Sequence, residues 1–303
     1  MKIRANNIDI EIEDTHPSDT TGRPVVLLIM GLGMQLVAWP PALVQSLVDA
    51  GYRVVRLDNR DIGLSQKFDH LGTPNMVWAS IRYRLGLGVK APYALHDMAS
   101  DALAVLDTLS VAKAHVVGVS MGGMIAQRVA LAAPQRVQSL TSIMSSSGAR
   151  GLPQAKPQVM RVLLSRPAGK DLSSVTDHYV KLFKAIGSPG FPVDDVELRE
   201  RITAAAQRNF NPAGVLRQMV AIVADSRRAD ELAGLRLPTL VIHGKADPLV
   251  PFACGEDTAR RIPGATLVGI EGMGHDLPAG VVQRIIEPLI PHLNASQATQ
   301  ANA

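Results

Sequence analysis

One serine, one aspartate and one histidine are spaced along this chain as nucleophilic acyl transfer would need them. The serine lies in Gly118-Val119-Ser120-Met121-Gly122, the aspartate is Asp247 and the histidine is His275. A serine hydroxyl is a poor nucleophile near neutral pH unless a base takes its proton. Imidazole can be that base. A carboxylate behind it fixes the tautomer and stabilises the imidazolium that forms. A G-x-S-x-G string alone is weak, because an ordinary strand-to-helix turn can hold a chance serine. Its surroundings here are more telling: the strand-like run His115–Val119 enters it and a helical pattern leaves from Met121. A serine at such a turn projects from the carboxyl edge of a sheet. Gly118 and Gly122 on either side leave room for close backbone packing.

His243, His275 and His292 lie on the C-terminal side of the serine, in or after the later strands. His275 sits in Gly272-Met273-Gly274-His275-Asp276, just past the strand-like run Thr266–Ile270, where a catalytic base belongs. His243 ends a strand and is expected to be a buried structural residue, while His292 is expected to face solvent from the last helix. Asp247, in His243-Gly244-Lys245-Ala246-Asp247-Pro248, follows a strand's carboxyl end and is the expected acid. Asp276 adjoins the histidine, and neighbouring residues rarely face each other suitably. Asp225 and Asp230 fall inside or near the helical cap expected between about Ala149 and Leu235. An alternative acid position, after the strand that ends near Met144, holds Ser145-Ser146-Ser147 and no carboxylate. A developing oxyanion also needs donors. One is expected from the Met121 amide, and the other from Gly31 or Leu32, with Leu32 preferred.

The elements that must position these residues read as an alternating series. Strand-like runs are Lys2–Asn6, Ile8–Glu13, Pro24–Met30, Tyr52–Leu57, His115–Val119, Val137–Met144, Thr239–His243 and Thr266–Ile270. Helical patterns at Pro41–Gly51, Leu95–Leu109, Met121–Ala133 and Val281–His292 come between or after them. Continuous apolar runs such as Pro24–Met30 suit strands buried on both faces. The alternation predicts an α/β fold with a mostly parallel, doubly wound sheet and an antiparallel edge from the first two strands. The rhythm breaks between about Ala149 and Leu235, where prolines separate helical patterns. The expected division is a core of 1–148 and 236–295, a helical cap of 149–235 and a flexible tail of 296–303. The stretch Thr73–Tyr93, with Trp78, Tyr83, Arg82 and Arg84, is read either as a surface loop with an amphipathic helix or as part of the site entrance.

Bulk composition narrows the classes. Of 303 residues, 47% are apolar and 19% charged, enough to bury a large core. The net charge of +4 comes from scattered arginines without a dense basic run, so no nucleic-acid partner is expected. Cys254 is the single cysteine, which rules out an intramolecular disulfide and a cysteine-rich metal site. The N-terminus lacks a signal-peptide apolar region, and no apolar run reaches bilayer length. The expectation is a cytoplasmic protein with no membrane partner, no metal and no other cofactor. Oligomeric state is not legible.

Five segments together resemble the α/β-hydrolase superfamily: Ile29–Gly33, Asp58-Asn59-Arg60-Asp61-Ile62-Gly63-Leu64-Ser65, Gly118–Gly123, His243–Pro248 and Gly274-His275. Within it the chain is similar to the small capped serine esterases of the aclacinomycin methylesterase-like group. The resemblance spans nearly the whole chain. It implies a cofactor-free hydrolase of a carboxylic ester with an apolar portion, using Ser120, Asp247 and His275. Many relatives have His-Gly where this chain has Met30-Gly31. The Leu32 donor is a backbone group and survives that change. Serine at position 120 argues against the epoxide hydrolase and dehalogenase chemistries of the fold, which use aspartate. Lactone, thioester and C–C bond hydrolysis on the same triad remain open, as does a ligand-binding protein with little turnover.

Overall fold

The computed structural model describes residues 1–19, 21–225 and 227–301. Its strands are β1 (Lys2–Ala5), β2 (Ile8–Asp14), β3 (Val25–Ile29), β4 (Arg53–Leu57), β5 (Ala114–Val119), β6 (Val137–Ile143), β7 (Thr239–Gly244) and β8 (Thr266–Ile270). They form one sheet in the order β1-β2-β4-β3-β5-β6-β7-β8. β1 pairs antiparallel with β2, and β2 with β4; all later pairings are parallel.

β3 and β5 are buried at every position because both faces of the sheet are covered. In β3 the two-residue side-chain period divides the strand between two cores. Val25, Leu27 and Ile29 enter one core, while Val26 and Leu28 enter the other. Helices α1 (Pro41–Asp49) and α11 (Ala279–Ala301) cover the Val26 side, where Leu43, Leu47, Ile285 and Leu289 are buried. On the Val25 side lie α3 (Leu95–Thr108) and α4 (Met121–Ala132), burying Met98, Val105, Ile125 and Val129. α2 (Met76–Arg84) precedes them, after β4.

Between β6 and β7 come α5 (Pro157–Leu163), α6 (Leu172–Ile186), α7 (Asp195–Arg208), α8 (Pro212–Ala224) and the short α9 (Arg228–Glu231). Caps fix several of their starts: Asp171, Asp194 and Asn211 each accept from backbone amides in the first turn. α10 (Phe252–Arg261) lies between β7 and β8. Its sequence pattern is weak because Gly255 and four charged residues leave few apolar positions.

Two expectations about the C-terminus need correction. α11 continues past His292 to Ala301, so the expected flexible tail, 296–303, is helical as far as described; residues 302 and 303 lie outside the described residues. Small residues such as Ala295 and Ala298 are strong helix formers, so a tail short of large apolar side chains can still continue a helix. His292 is half-buried and does not face solvent; burial lowers its pKa. No helix among the described residues is long and apolar enough to cross a membrane.

Candidate active site

Ser120 occupies the turn between β5 and α4. Its backbone has φ +56° and ψ −120°, a left-handed conformation uncommon for a residue with a β-carbon. The surrounding bonds hold it there. The Ser120 amide donates to the Ile143 carbonyl at 2.9 Å, and the Ser145 hydroxyl donates to the Ser120 carbonyl at 2.7 Å. The turn also needs its two glycines. A β-carbon on Gly118 would lie 2.1 Å from the Gly122 carbonyl oxygen, and one on Gly122 would lie 2.0 Å from that of Ile29. Both distances are far inside van der Waals contact, and each clash is with backbone.

The structure brings Ser120, His275 and Asp247 into one hydrogen-bonded row across 155 residues of chain. His275 Nδ1 donates to Asp247 Oδ2 at 2.7 Å, because a carboxylate can only accept. That bond places the proton on Nδ1 and leaves Nε2 as an acceptor, 2.9 Å from Ser120 Oγ. Asp247 is held in turn by the amides of Leu249 and Val250, which donate to Oδ1 at 2.9 and 2.8 Å. All three side chains lie at the carboxyl ends of their strands. Asp247 and His275 are buried, which strengthens the electrostatics between them.

His243 is fully buried, as expected of a structural residue. Its Nε2 donates to the Val250 carbonyl at 2.8 Å, and burial lowers its pKa, so it is neutral and braces the turn that carries Asp247. Asp276 accepts from the Ser188 hydroxyl, and the His275 ring nitrogens bond to Asp247 and Ser120 instead. The pKa of Asp276 is raised by burial. Asp225 is engaged with Arg128 and Arg228 behind α4.

The second oxyanion candidate lies beside the nucleophile. A β-carbon on Gly31 would come within 3.1 Å of Ser120 Cβ, so the Gly31–Leu32 backbone passes directly over the serine. Neither the Leu32 nor the Met121 amide donates to another described residue. This loop is clamped from several sides. Asn59 Nδ2 donates to the Met30 carbonyl at 2.9 Å, Asp58 accepts from the Leu36 amide at 2.7 Å, and Gln218 accepts from the Gly33 amide at 3.0 Å.

Ser188 and Gln218 have no signal in the sequence, and Ser145 enters it only within a triplet that lacks a carboxylate. Ser188 Oγ accepts from the Gly274 amide at 2.8 Å while donating to Asp276, and the His275 amide donates to the Ile186 carbonyl at 2.7 Å. The end of α6 therefore holds the loop that carries His275. Gln218 on α8 similarly holds the loop after β3. These residues carry no motif, and their partners are 86 and 185 positions away, so local pattern cannot reveal them.

A family model described as the alpha/beta hydrolase fold matches residues 24–278. The chain belongs to the α/β-hydrolase fold family. Among curated relatives it is 32% identical over 291 residues to a rhodomycin D methylesterase of Streptomyces sp. (strain C5), covering 89% of this chain and 91% of that protein. The rhodomycin D methylesterase of Streptomyces peucetius matches with the same identity and coverage. Among solved structures, a meta-cleavage product hydrolase from Pseudomonas fluorescens superposes with a TM-score of 0.72 at 20% identity, covering 98% of each chain. At that identity the superposition speaks for the fold alone.

Proposed function

We propose that this protein hydrolyses a carboxylic ester through an acyl-enzyme formed on Ser120. The supporting observation is the row from Ser120 Oγ to His275 Nε2 at 2.9 Å and from His275 Nδ1 to Asp247 Oδ2 at 2.7 Å, set at a strained strand-to-helix turn. In this reading Ser120 Oγ bonds to the ester carbonyl carbon as its proton passes to His275 Nε2. The carbonyl oxygen becomes an oxyanion, held by the Leu32 and Met121 amides. Preorganised donors of this kind are worth about 3–4 kcal/mol each to the transition state. The tetrahedral centre collapses, the alkoxide leaves with the proton from His275, and an acyl-Ser120 remains. Water then gives its proton to His275 as its oxygen attacks the acyl carbon. Collapse returns the proton to Ser120 Oγ and frees the carboxylic acid.

In the same reading, residues 149–235 act as a cap. The geometry in its favour is that α6 and α8 touch the loops bearing His275 and Leu32. The names of the two relatives at 32% identity motivate a methyl ester as the bond to test first, with an apolar acyl part against the cap.

The test compares the wild type with Ser120→Ala on methyl and p-nitrophenyl esters of increasing chain length, alongside labelling by a fluorophosphonate. Turnover and labelling that both vanish in the variant support the ester reading. Labelling of Ser120 without turnover of any ester turns the reading toward lactones, thioesters, C–C bonds or ligand binding. Turnover that survives in Ser120→Ala overturns the mechanism.

A further inference from the structure

We propose that α2 and the arginine-lined cavity beside it form a docking surface for an anionic phospholipid bilayer. This is independent of the bond that Ser120 cleaves. The first observation is an apolar face with no cover. Val77, Trp78, Ile81 and Leu85 have relative exposures of 70, 58, 42 and 68%. At about 3.6 residues per turn they share an arc of roughly 100°. The opposite side of α2 is the one that packs inward, through Ala79, which is buried. Both faces of α2 are thus apolar, and only one is used by the fold. A Trp and aliphatic side chains on a short exposed helix match what inserts at the headgroup boundary of a bilayer.

The second observation is charge. From His70 to His96 the chain has no carboxylate, while Arg82, Arg84 and Lys90 are cations. On the helix, Arg82 and Arg84 fall on opposite edges of the apolar arc, where basic side chains flank an inserted helix. The third observation is a surface cavity of about 410 Å³ lined by Ala149, Arg150, Arg227, Ala229, Asp230 and Arg261. Arg261 is occupied by Asp257 at 2.7 Å and lies 3.8 Å from Asp230. Arg150 and Arg227 form no ion pair with a described residue. The cavity adjoins α2, since a β-carbon on Gly86, just past the helix, would lie 3.3 Å from Arg150 Nη1. The apolar helix thus adjoins the Arg150 guanidinium, with Arg227 lining the same cavity and neither paired with a described carboxylate, which suits a phosphate headgroup with its acyl chains.

A second copy of this chain fits worse. An isologous contact would bring the cations of α2 against their own equivalents, with no carboxylate between Asp69 and Asp97 to offset them. The expectation of no membrane partner rested on the lack of a spanning segment, and a surface helix needs none.

The experiment is co-sedimentation of the full-length protein with vesicles of phosphatidylcholine alone and of phosphatidylcholine with phosphatidylglycerol, read with tryptophan fluorescence. Trp39 is fully buried, so a blue shift reports Trp78. The proposal expects binding and a blue shift with the mixed vesicles only. It expects about fivefold weaker partition for each cation removed, in Arg82→Gln and Arg150→Gln, and loss of the shift in Ile81→Ser. Unchanged near-ultraviolet circular dichroism shows that the variants fold. Equal binding to neutral vesicles, no binding to either, or concentration-dependent self-association that Ile81→Ser abolishes would each overturn it. Binding that inorganic phosphate alone saturates, without any vesicle partition, would also overturn it.

Discussion

Asp247→Asn changes one atom and leaves the shape of the side chain intact. In the wild type, Asp247 Oδ1 faces two donors, the Leu249 and Val250 amides at 2.9 and 2.8 Å, and Oδ2 faces one, His275 Nδ1 at 2.7 Å. The asparagine amide nitrogen must take one of these two places. At Oδ1 it would oppose two fixed backbone donors. At Oδ2 it opposes a single ring nitrogen that can shed its proton to the other side of the ring. The second arrangement costs less, and it forces the His275 proton onto Nε2. That nitrogen then points an N–H at Ser120 Oγ, 2.9 Å away, and can no longer accept the hydroxyl proton. The expected loss in kcat is about 10³–10⁴-fold, or roughly 4–5.5 kcal/mol, with KM little changed because no substrate contact is removed. Steady-state hydrolysis of a p-nitrophenyl ester measures it, against Ser120→Ala as the floor. A kcat within tenfold of wild type would refute the tautomer argument and with it the role given to Asp247.

Three further outcomes are expected. Ser120→Gly and Ser120→Ala both lack the hydroxyl, but only glycine relaxes at φ +56°, so the glycine variant should be the more stable by about 1 kcal/mol in urea unfolding; equal midpoints would mean the turn is not strained. Ser188→Ala removes the bridge between Gly274 and Asp276, and kcat should fall about tenfold at constant KM as His275 loosens, with recovery in Ser188→Thr; no recovery, or a change confined to KM, would count against a positioning role. His115 is fully buried, and burial pulls its pKa from 6.5 down to about 4. Between those values the unfolded chain binds a proton that the folded chain does not, so stability falls as pH drops through this window and levels off below it. Between pH 7.5 and 4.5 this histidine should cost about 2.5 kcal/mol, and His115→Gln should lack that part of the pH dependence; parallel curves for the two proteins would refute it.

How much of this was legible in the sequence depends on the range of the interaction. β3 is readable because burial on both faces demands an unbroken apolar run, and the turn at Ser120 because two backbones too close for a β-carbon demand Gly118 and Gly122. These are local constraints, and each leaves a local mark. Asp247 and His275 were legible as candidates for the same reason: each follows a strand's carboxyl end. What the sequence could not contain is distance. The 2.9 Å from Ser120 to His275 exists because parallel strands β5, β7 and β8 bring their ends to one edge. Ser188 and Gln218 have ordinary neighbours in the chain and acquire their roles only where α6 and α8 meet the core. α10 is not legible because its packing against β7 and β8 stabilises a helix with few apolar positions, and the extension of α11 because small helix formers leave no apolar stripe to read. Residue type sets what a side chain can do, and the sheet and the helices laid over it set which atoms it can do it to.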